Sequence, residues 1–415
     1  MRRRFYILFL FTLLSCFNED NADLGGNFSF VRYFNGGGDD QAVAIRETPD
    51  NGYIILANTT IDGATKIKLI KTDELGNKQW SELYGPPAIT GNTNILSYLG
   101  YGIDVLPNEE GFIIAGSYID EKEKSELLIL KVPADGDKTK ITKYTFPNPK
   151  PAQGFQGKAI TVSKDASGNQ VFIVLANILN SDDEDMALAE IKNDLTPGWS
   201  QTYGAGQADL TNKIFINNAG KLLWGGTVQR SGGTDMRFVR TEQNRKNTDF
   251  DLPIGSPGFD EQGKDICNFG FGYAIIGNTN ETATGDREIM FKLLADDGSE
   301  KISKTFPIMI GEDPVPGNKT GNAITSTQDW GFLLACTVPS NSELKFGRGE
   351  ADIYLIKIDG YGTVIWEKSI GSTKDEQSVA VLQSSDGGYI ILGTSDFAGL
   401  STVMLMKTDK NGDIQ

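Results

Sequence analysis

The sequence predicts an all-β fold, a seven-bladed β-propeller made of four-stranded antiparallel blades. One observation behind this prediction is a short apolar segment that recurs seven times, about every 50 to 60 residues, as propeller blades do. Another is that the two ends of the chain repeat each other. The seven copies are GYIILANT at Gly52, GFIIAGSY at Gly111, VFIVLANI at Val171, GKLLWGGT at Gly220, GYAIIGNT at Gly272, GFLLACTV at Gly331 and GYIILGTS at Gly388.

Each repeat divides into four predicted strands. In the first repeat, AVAIRE (residues 42–47) precedes the apolar core segment, and the turn TPDNG separates the two. An alternating strand, KIKLIKT (residues 66–72), follows after a loop. A turn of the form Asp-x-x-Gly then leads to a last strand, KQWSELY (residues 78–84). Four antiparallel strands in each of seven repeats predict seven propeller blades.

The chain ends predict how the ring closes. Residues 30–76 align without a gap with residues 366–412, and in that register Phe30 corresponds to Trp366. The segment 28–34 therefore corresponds to an outer blade strand, whereas the last repeat ends before its own outer strand. We expect the N-terminal strand to complete the C-terminal blade, which removes two exposed sheet edges. We expect residues 28–415 to form a single domain.

Composition excludes several classes of function. The formal net charge of −16 disfavours a nucleic-acid partner, because such a surface repels phosphates. The chain has no histidine, which excludes Ser-His-Asp and Cys-His sites and His-ligated zinc. Carboxylate pairs of the glycosidase type remain as the main enzymatic option.

The first 15 residues have the features of a secretion signal. Arg2, Arg3 and Arg4 precede an apolar run too short to span a bilayer. The run ends in LLSC at Cys16, which resembles the lipobox of bacterial lipoproteins. That resemblance implies cleavage before Cys16 and attachment of acyl chains such as palmitate there. The alternative is an ordinary signal peptide with an incidental cysteine.

Acidic residues follow Cys16 in a predicted tether, residues 16–27. Glu19, Asp20 and Asp23 resemble the export signal that sends Bacteroidota-type lipoproteins to the cell surface. We expect a lipid-anchored protein of the outer membrane that is exposed at the surface. The alternative is the periplasmic face of that membrane.

The Asp-x-x-Gly turns begin at Asp73, Asp359 and Asp409. A calcium site at Asp409, Asn411 and Asp413 is one interpretation, because alternating oxygen ligands are typical of calcium loops. A hairpin is favoured, because Asp accepts the turn's amide hydrogens and Gly adopts positive φ. No metal site is predicted.

The longer pattern D-x-x-G-x-x-x-W occurs at Asp73-Gly76-Trp80 and Asp359-Gly362-Trp366. It resembles the repeat of pyrroloquinoline-quinone-type propellers, and more loosely of Kelch-like ones. The resemblance implies that these residues dock neighbouring blades. No cofactor is predicted, because many members of that superfamily bind no quinone.

Two further sets of residues have alternative interpretations. Acidic residues recur near the start of first strands, and they either form a carboxylate cluster at a channel mouth or bond to a turn or the next blade. They are Asp40, Asp209, Asp260 and Asp375. Cys267 and Cys336 either pair or act as two small buried hydrophobes.

Long loops lie on one predicted face, and tight turns such as PDNG and ELGN lie on the other. The long-loop face carries the candidate binding residues, since function often lies on loops held by a rigid scaffold. Lys345, Phe346 and Arg348 are expected to form an exposed aromatic and cationic tip. Tyr118 and Asp183 lie in two further loops of that face.

These observations lead to a predicted function. The mature chain, from about Phe28 onward, resembles propeller-repeat surface lipoproteins of Bacteroidota-type envelopes. We expect a non-catalytic binding or scaffold subunit of an outer-membrane transport or assembly complex, with a glycan or peptide ligand as an option. One alternative is a carboxylate-based glycosidase or lyase at the channel mouth. Another is a periplasm-facing scaffold for barrel assembly.

Overall fold

The computed structural model describes residues 28–85, 96–119, 122–140, 142–146, 154–179, 184–203, 209–217, 219–230, 232–270, 272–282, 284–397 and 399–414. The predicted signal peptide, Cys16 and the tether lie outside these residues. Within the described part of the chain, no helix is long and apolar enough to cross a membrane.

The strands form seven groups of four, called units 1 to 7, and β1 (Phe30–Phe34) belongs to the last of them. Unit 1 contains β2 (Asp39–Glu47), β3 (Tyr53–Ile61), β4 (Ala64–Thr72) and β5 (Lys78–Tyr84). Unit 2 contains β6 (Ser97–Val105), β7 (Gly111–Ile119), β8 (Ser125–Pro133) and β9 (Thr142–Phe146). Unit 3 contains β10 (Gly154–Lys164), β11 (Gln170–Leu179), β12 (Glu184–Lys192) and β13 (Pro197–Tyr203).

The remaining units follow the same plan. Unit 4 contains β14 (Asp209–Ile216), β15 (Leu222–Arg230), β16 (Gly233–Thr241) and β17 (Thr248–Ile254). Unit 5 contains β18 (Glu261–Phe269), β19 (Gly272–Thr279), β20 (Glu288–Ala295) and β21 (Glu300–Phe306). A small ribbon, β22 (Met309–Ile310) and β23 (Asp313–Pro314), precedes unit 6. Unit 6 contains β24 (Thr320–Ser326), β25 (Gly331–Asn341), β26 (Phe346–Asp359) and β27 (Val364–Ile370). Unit 7 contains β28 (Glu376–Gln383), β29 (Tyr389–Phe397), β30 (Leu400–Thr408) and β1.

Neighbouring strands within each unit pair antiparallel, so the prediction of an all-β fold with four-stranded antiparallel sheets is confirmed. A single parallel bridge between Gly154 and Ser125 joins units 2 and 3 into one larger sheet. In unit 7, β1 pairs with β30, with Phe30 opposite Lys407 and Phe34 opposite Val403. Two short 3-10 turns, Pro107–Glu109 and Lys138–Lys140, lie in unit 2.

The apolar core lies between adjacent units. Ile54 and Leu69 of unit 1, for example, belong to one buried cluster with Ile114 and Leu128 of unit 2. Each sheet therefore buries both faces against its neighbours, which accounts for the nearly continuous apolar runs in the second and third strands. The first strands also contact one another in succession, from β2 through β6, β10, β14, β18 and β24 to β28, and β28 contacts β2.

Every first strand contains a β-bulge at the same place in the repeat. The bulged residues are Val43, Tyr101, Lys158, Asn212, Lys264, Asn322 and Val379. The residue before the bulge is small because the neighbouring unit approaches closely. A Cβ atom added at Gly263, for example, would lie 2.6 Å from the carbonyl oxygen of Gly226 in unit 4.

The Asp-x-x-Gly turns are hairpins, as predicted. Asp73 Oδ1 accepts the amide hydrogens of Leu75 and Asn77, at 3.0 and 2.7 Å, and Gly76 has a φ of +72°. Asp359 and Asp409 accept the corresponding hydrogen bonds in units 6 and 7. The carboxylate therefore stabilises the backbone of its own turn.

The turn glycine also receives an aromatic ring from the outer strand of the preceding unit. A Cβ atom at Gly136 would lie 3.1 Å from the Trp80 ring, and one at Gly76 would lie 2.4 Å from the Phe30 ring. Trp366 packs on Gly412 in the same way. This contact explains why the sequence combines a turn glycine with an aromatic residue on the next strand.

Candidate functional site

The candidate site is a cavity of about 370 Å³ lined by the first strands of all seven units. This volume is within the usual range for small-molecule sites. The lining residues are Val43, Ala44, Ile45 and Arg46 of β2, Tyr101 and Gly102 of β6, Lys158, Ala159 and Ile160 of β10, Lys213 and Ile214 of β14, Lys264 and Asp265 of β18, Asn322 of β24, and Val379 and Ala380 of β28.

The bulges bring these side chains together. A bulge inserts an extra residue and re-aims the side chains next to it. Six of the bulged residues line the cavity, and among them are Tyr101, Lys158 and Lys264. Two residues further on, an Ile or Val is buried in every unit, for example Ile160 and Ile266. The apolar residue fixes the register of the strand, and the bulged residue faces the cavity.

The cavity is cationic, although the whole chain has a net charge of −16. Among the described residues, its lining contains Arg46, Lys158, Lys213 and Lys264 but only one carboxylate, Asp265. The three lysines come from consecutive units 3, 4 and 5. The lining from units 7 and 1 is apolar except for Arg46. The cavity therefore has a cationic side and an apolar side.

Two of the four cations have carboxylate partners. Lys213 Nζ lies 2.8 Å from Asp265 Oδ1, and Arg46 Nε lies 3.7 Å from Asp104 Oδ1. The second oxygen of each carboxylate accepts a backbone amide hydrogen from the next unit. Asp265 Oδ2 is 3.0 Å from the Ile324 nitrogen, and Asp104 Oδ2 is 2.8 Å from the Val162 nitrogen. These acids therefore connect units as well as balancing charge.

Lys158 and Lys264 have no ion-pair partner among the described residues. The Lys158 ammonium lies 4.5 Å from the centre of the Tyr101 ring, where the ring face favours the charged form. Burial lowers the pKa of Lys158, and the negative charge of Glu184 offsets part of that effect. Burial also lowers the pKa of Lys264, and the positive charge of Arg287 lowers it further.

Of the acidic residues singled out in the sequence, Asp40, Asp260 and Asp375 do not line the cavity. Asp40 is fully buried, and its Oδ2 lies 2.6 Å from Lys68 Nζ within unit 1. Asp260 accepts the amide hydrogen of Thr234 in unit 4 at 3.0 Å. The carboxylate of Asp375 accepts a hydrogen bond from Gln377 at 3.2 Å. The described carboxylates of this set thus bond locally or to a neighbouring unit, and the side chain of Asp209 lies outside the description.

The two cysteines do not pair. Cys336 is fully buried, Cys267 is half-buried, and both thiols are free. Burial raises the pKa of Cys267 to about 12 and also raises the pKa of Cys336. Both are therefore protonated at neutral pH, and the interpretation as small buried hydrophobes is confirmed.

The predicted exposed tip is wrong in one residue. Phe346 is buried, because it begins β26 and packs against Tyr354 with its ring centre 5.8 Å away. Lys345 and Arg348 are exposed and line an open groove of about 560 Å³ together with Lys368. Lys368 pairs with Asp413, whereas no ion pair is found for Lys345 or Arg348 among the described residues.

Of the other predicted site residues, the structure describes only Tyr118, which lines neither the cavity nor the groove. Tyr118 is half-buried and packs edge-on against Tyr98, with ring centres 5.6 Å apart. Asp183 and Cys16 lie outside the described residues. The structure therefore brings together Lys345 and Arg348 but not the whole predicted set.

Sequence reasoning missed the cavity, although the sequence contains a signal for it. Each first strand has the form small-x-x-Ile or small-x-x-Val, except that the fourth begins with Thr. The seven copies are AVAI, GYGI, GKAI, TNKI, GKDI, GNAI and SVAV. Aligning them places Lys158 and Lys264 at the same repeat position, where the other units carry uncharged residues.

No protein-family model matches this chain, and no curated protein matches it. Among solved structures, the chain is similar to the β-propeller domain of the Trilobed protease from Pyrococcus furiosus. The identity is 9% and the TM-score is 0.48, over 91% of this chain and 97% of that one.

Two similar structures are of enzymes. One is the α-L-arabinofuranosidase Arb93A from Fusarium graminearum, at 10% identity and a TM-score of 0.47, over 77% of this chain and 94% of that chain. The other is a mutant Trypanosoma rangeli sialidase with trans-sialidase activity. Its identity is 9% and its TM-score 0.42, over 89% of this chain and 54% of that chain.

The prediction that the chain is not an enzyme is wrong, and these similarities correct it. Propellers that cleave glycosides are among the structures that the chain resembles. The physical reason is that an absence of histidine removes only histidine-dependent chemistry, whereas carboxylate, tyrosine and lysine chemistry remains. At about 10% identity, the similarities show no activity for this chain.

Proposed function

We propose that this chain binds a small anionic ligand in the cationic cavity, at the centre of a seven-bladed β-propeller. The observation that carries the proposal is the pair Lys158 and Lys264, two desolvated cations in one cavity without an ion-pair partner among the described residues. Burying an unpaired cation is unfavourable. A bound anion would supply the missing partner.

Three contacts support the ring of seven blades. The first strands contact each other in a closed succession that returns from β28 to β2. The N-terminal strand β1 supplies the fourth strand of unit 7. Phe30 of that strand packs on Gly76 of unit 1, as Trp80 packs on Gly136 one unit later. In this ring the lysines of units 3 to 5 lie across the channel from the apolar lining of units 7 and 1.

This arrangement defines the ligand class. The cationic side suits a carboxylate or phosphate group, and the apolar side suits a hydrocarbon or ring portion of the same molecule. The cavity holds only a small molecule or the end of a longer chain. We therefore propose an amphipathic anion, such as an organic acid or an acidic sugar end.

Calorimetric titration of the full chain with pyridoxine 5′-phosphate, a small ring compound with an anionic group, tests the proposal. Substituting both Lys158 and Lys264 with Met should weaken binding by about 100-fold, since each lost charge pair contributes about 1.4 kcal/mol or more. Lys410→Met, which removes an exposed lysine in a turn of unit 7, is the matched control and should not change the affinity. Equal affinity of the double variant and the native chain would refute the proposal.

For the location, we propose a lipid anchor at Cys16 in the outer membrane with exposure at the cell surface, and the periplasmic face as the alternative. The support is the signal-like segment, the LLSC motif and the acidic residues behind it. Cys16→Ala should release the protein from the membrane fraction, and protease treatment of intact cells distinguishes the two faces. An association with an outer-membrane transport or assembly complex stays a prediction.

A further inference from the structure

The cavity holds three amines in unequal surroundings. Lys213 is paired with Asp265 at 2.8 Å, and Lys158 lies against the Tyr101 ring at 4.5 Å. Lys213 thus has a carboxylate partner, and Lys158 has an aromatic one. Lys264 is half-buried, and no ion pair, hydrogen bond or ring contact with it is found among the described residues. Burial lowers the pKa of Lys264, and the positive charge of Arg287 lowers it further.

These surroundings suit the three lysines to two different roles, binding an anion and attacking a carbonyl carbon. An ammonium group is a good anion partner but cannot attack a carbonyl carbon, because it has no free lone pair. A lysine becomes nucleophilic when desolvation or a neighbouring cation favours its neutral form, and Lys264 has both features. Lys213, with its carboxylate partner, and Lys158, against the face of the Tyr101 ring, remain to hold an anion.

We propose that Lys264 forms an imine with ligands that carry an aldehyde or ketone next to the anionic group, while Lys158 and Lys213 hold that group. This inference rests on the proposed anion site and narrows its ligand class to carbonyl-bearing anions. The cavity of about 370 Å³ is large enough for such a molecule.

The chemical step is balanced without a further reagent. The neutral Nζ of Lys264 adds its lone pair to the carbonyl carbon and forms a carbinolamine. The carbonyl oxygen then leaves as water and takes both hydrogens of the amine. A carbon–nitrogen double bond replaces the carbon–oxygen double bond, and nothing is oxidised or reduced. Hydrolysis reverses the step.

Pyridoxal 5′-phosphate, an anionic aldehyde, is the probe for the full chain, and pyridoxine 5′-phosphate is the matched anion without a carbonyl group. At equimolar probe we expect one main imine, detected by its visible absorbance. Reduction with borohydride and peptide mass spectrometry should locate it at Lys264. Inorganic phosphate in excess should protect Lys264 from modification without protecting the exposed Lys410.

Variants distinguish the imine at Lys264 from the binding of the anionic group. Lys264→Arg retains a cation at this position but has no amine that can form the imine, so the adduct should be lost while pyridoxine 5′-phosphate still binds. Lys158→Met should weaken the binding of both compounds by about tenfold. Circular dichroism and thermal melting check that each variant is folded, and the phosphate protection experiment needs no variant.

Each outcome decides one claim. Binding of pyridoxine 5′-phosphate with adducts spread over surface lysines, or unchanged in Lys264→Arg, would overturn the imine and leave the anion site standing. Absence of binding by pyridoxine 5′-phosphate would overturn the anion site itself. Pyridoxal is the same aldehyde without the phosphate group. If it modified Lys264 as fully as pyridoxal 5′-phosphate does, the role assigned to Lys158 and Lys213 would be overturned.

Discussion

Buried and half-buried lysines occur in two regions of this molecule with opposite surroundings. In units 1, 6 and 7 a lysine near the end of the third strand bonds to an aspartate in the turn between the first two strands. The pairs are Lys71 with Asp50 at 2.7 Å, Lys357 with Asp329 at 3.0 Å, and Lys407 with Asp386 at 2.5 Å. In the cavity, Lys158 and Lys264 have no such partner among the described residues. A lysine that has the same aspartate partner in several units indicates a structural role. A lysine without an ion-pair partner, at a position that is uncharged in most units, indicates a binding role.

The largest effect should follow from breaking a fully buried pair. Asp40→Ala leaves the ammonium of Lys68 buried with only the Phe34 carbonyl oxygen, 3.2 Å away, as a described hydrogen-bond acceptor. We expect the free energy of unfolding to fall by about 3 to 5 kcal/mol, the usual cost of leaving a buried charge uncompensated. Urea unfolding followed by circular dichroism measures it. A loss below about 1 kcal/mol would mean that water reaches Lys68.

A smaller loss is expected where the pair is partly solvated. Asp329 is 57% exposed, although its partner Lys357 is almost fully buried. Asp329→Ala should therefore lower the free energy of unfolding by about 1 kcal/mol, because water can replace part of the lost interaction. The same urea titration provides the comparison. A loss as large as that of Asp40→Ala would show that exposure does not distinguish these pairs.

The cavity lysines should show the opposite sign. Lys264→Met removes a desolvated cation, so at pH 7 we expect the free energy of unfolding to rise by up to about 1 kcal/mol. The pKa of Lys264 is lower in the folded chain than its usual 10.5, so the unfolded chain binds the proton more tightly. The penalty is therefore present below the folded pKa and disappears as the pH rises to 10.5.

Unfolding of the native chain and of Lys264→Met at pH 7 and pH 9.5 measures this difference. The gain should be smaller at the higher pH, and Lys410→Met should give no gain at either. If Lys264→Met destabilised the chain at pH 7, Lys264 would belong with the paired lysines, and the anion proposal would lose its main support.

The fold could be predicted from the sequence because the signal is repeated. The core segments at Gly52, Gly272 and Gly388 each reinforce the others, and the Asp-x-x-Gly turns mark the hairpins. A single copy of KTDELGN would have left a calcium loop and a turn as equal alternatives. The repetition of the motif favours the turn. The structure agrees, since Gly76, Gly362 and Gly412 all have a positive φ.

The cavity could not be predicted in the same way, for two physical reasons. The alternation of a regular strand would place Lys158 on the same side as Ile160. The bulge at residue 158 moves the two side chains to opposite sides, and the sequence does not show the bulge. The net charge also pointed away from a cationic site, because it averages over the whole surface. Phe346 differs from the prediction because it begins β26, although the residues that follow it, GRGEAD, have the composition of an exposed loop.

The partnership of β1 with β30 has a consequence for the order of folding. The first described strand finds its pairing partner only in the last one, and Phe30 reaches Gly76 only when unit 7 is in place. During synthesis, which proceeds from the N-terminus, β1 stays without this partner until the other strands have been made. Such distant pairing slows folding, and the waiting strand is exposed to misassociation. Pairing of β1 with β30 is therefore the contact of unit 7 that depends on the longest separation along the chain.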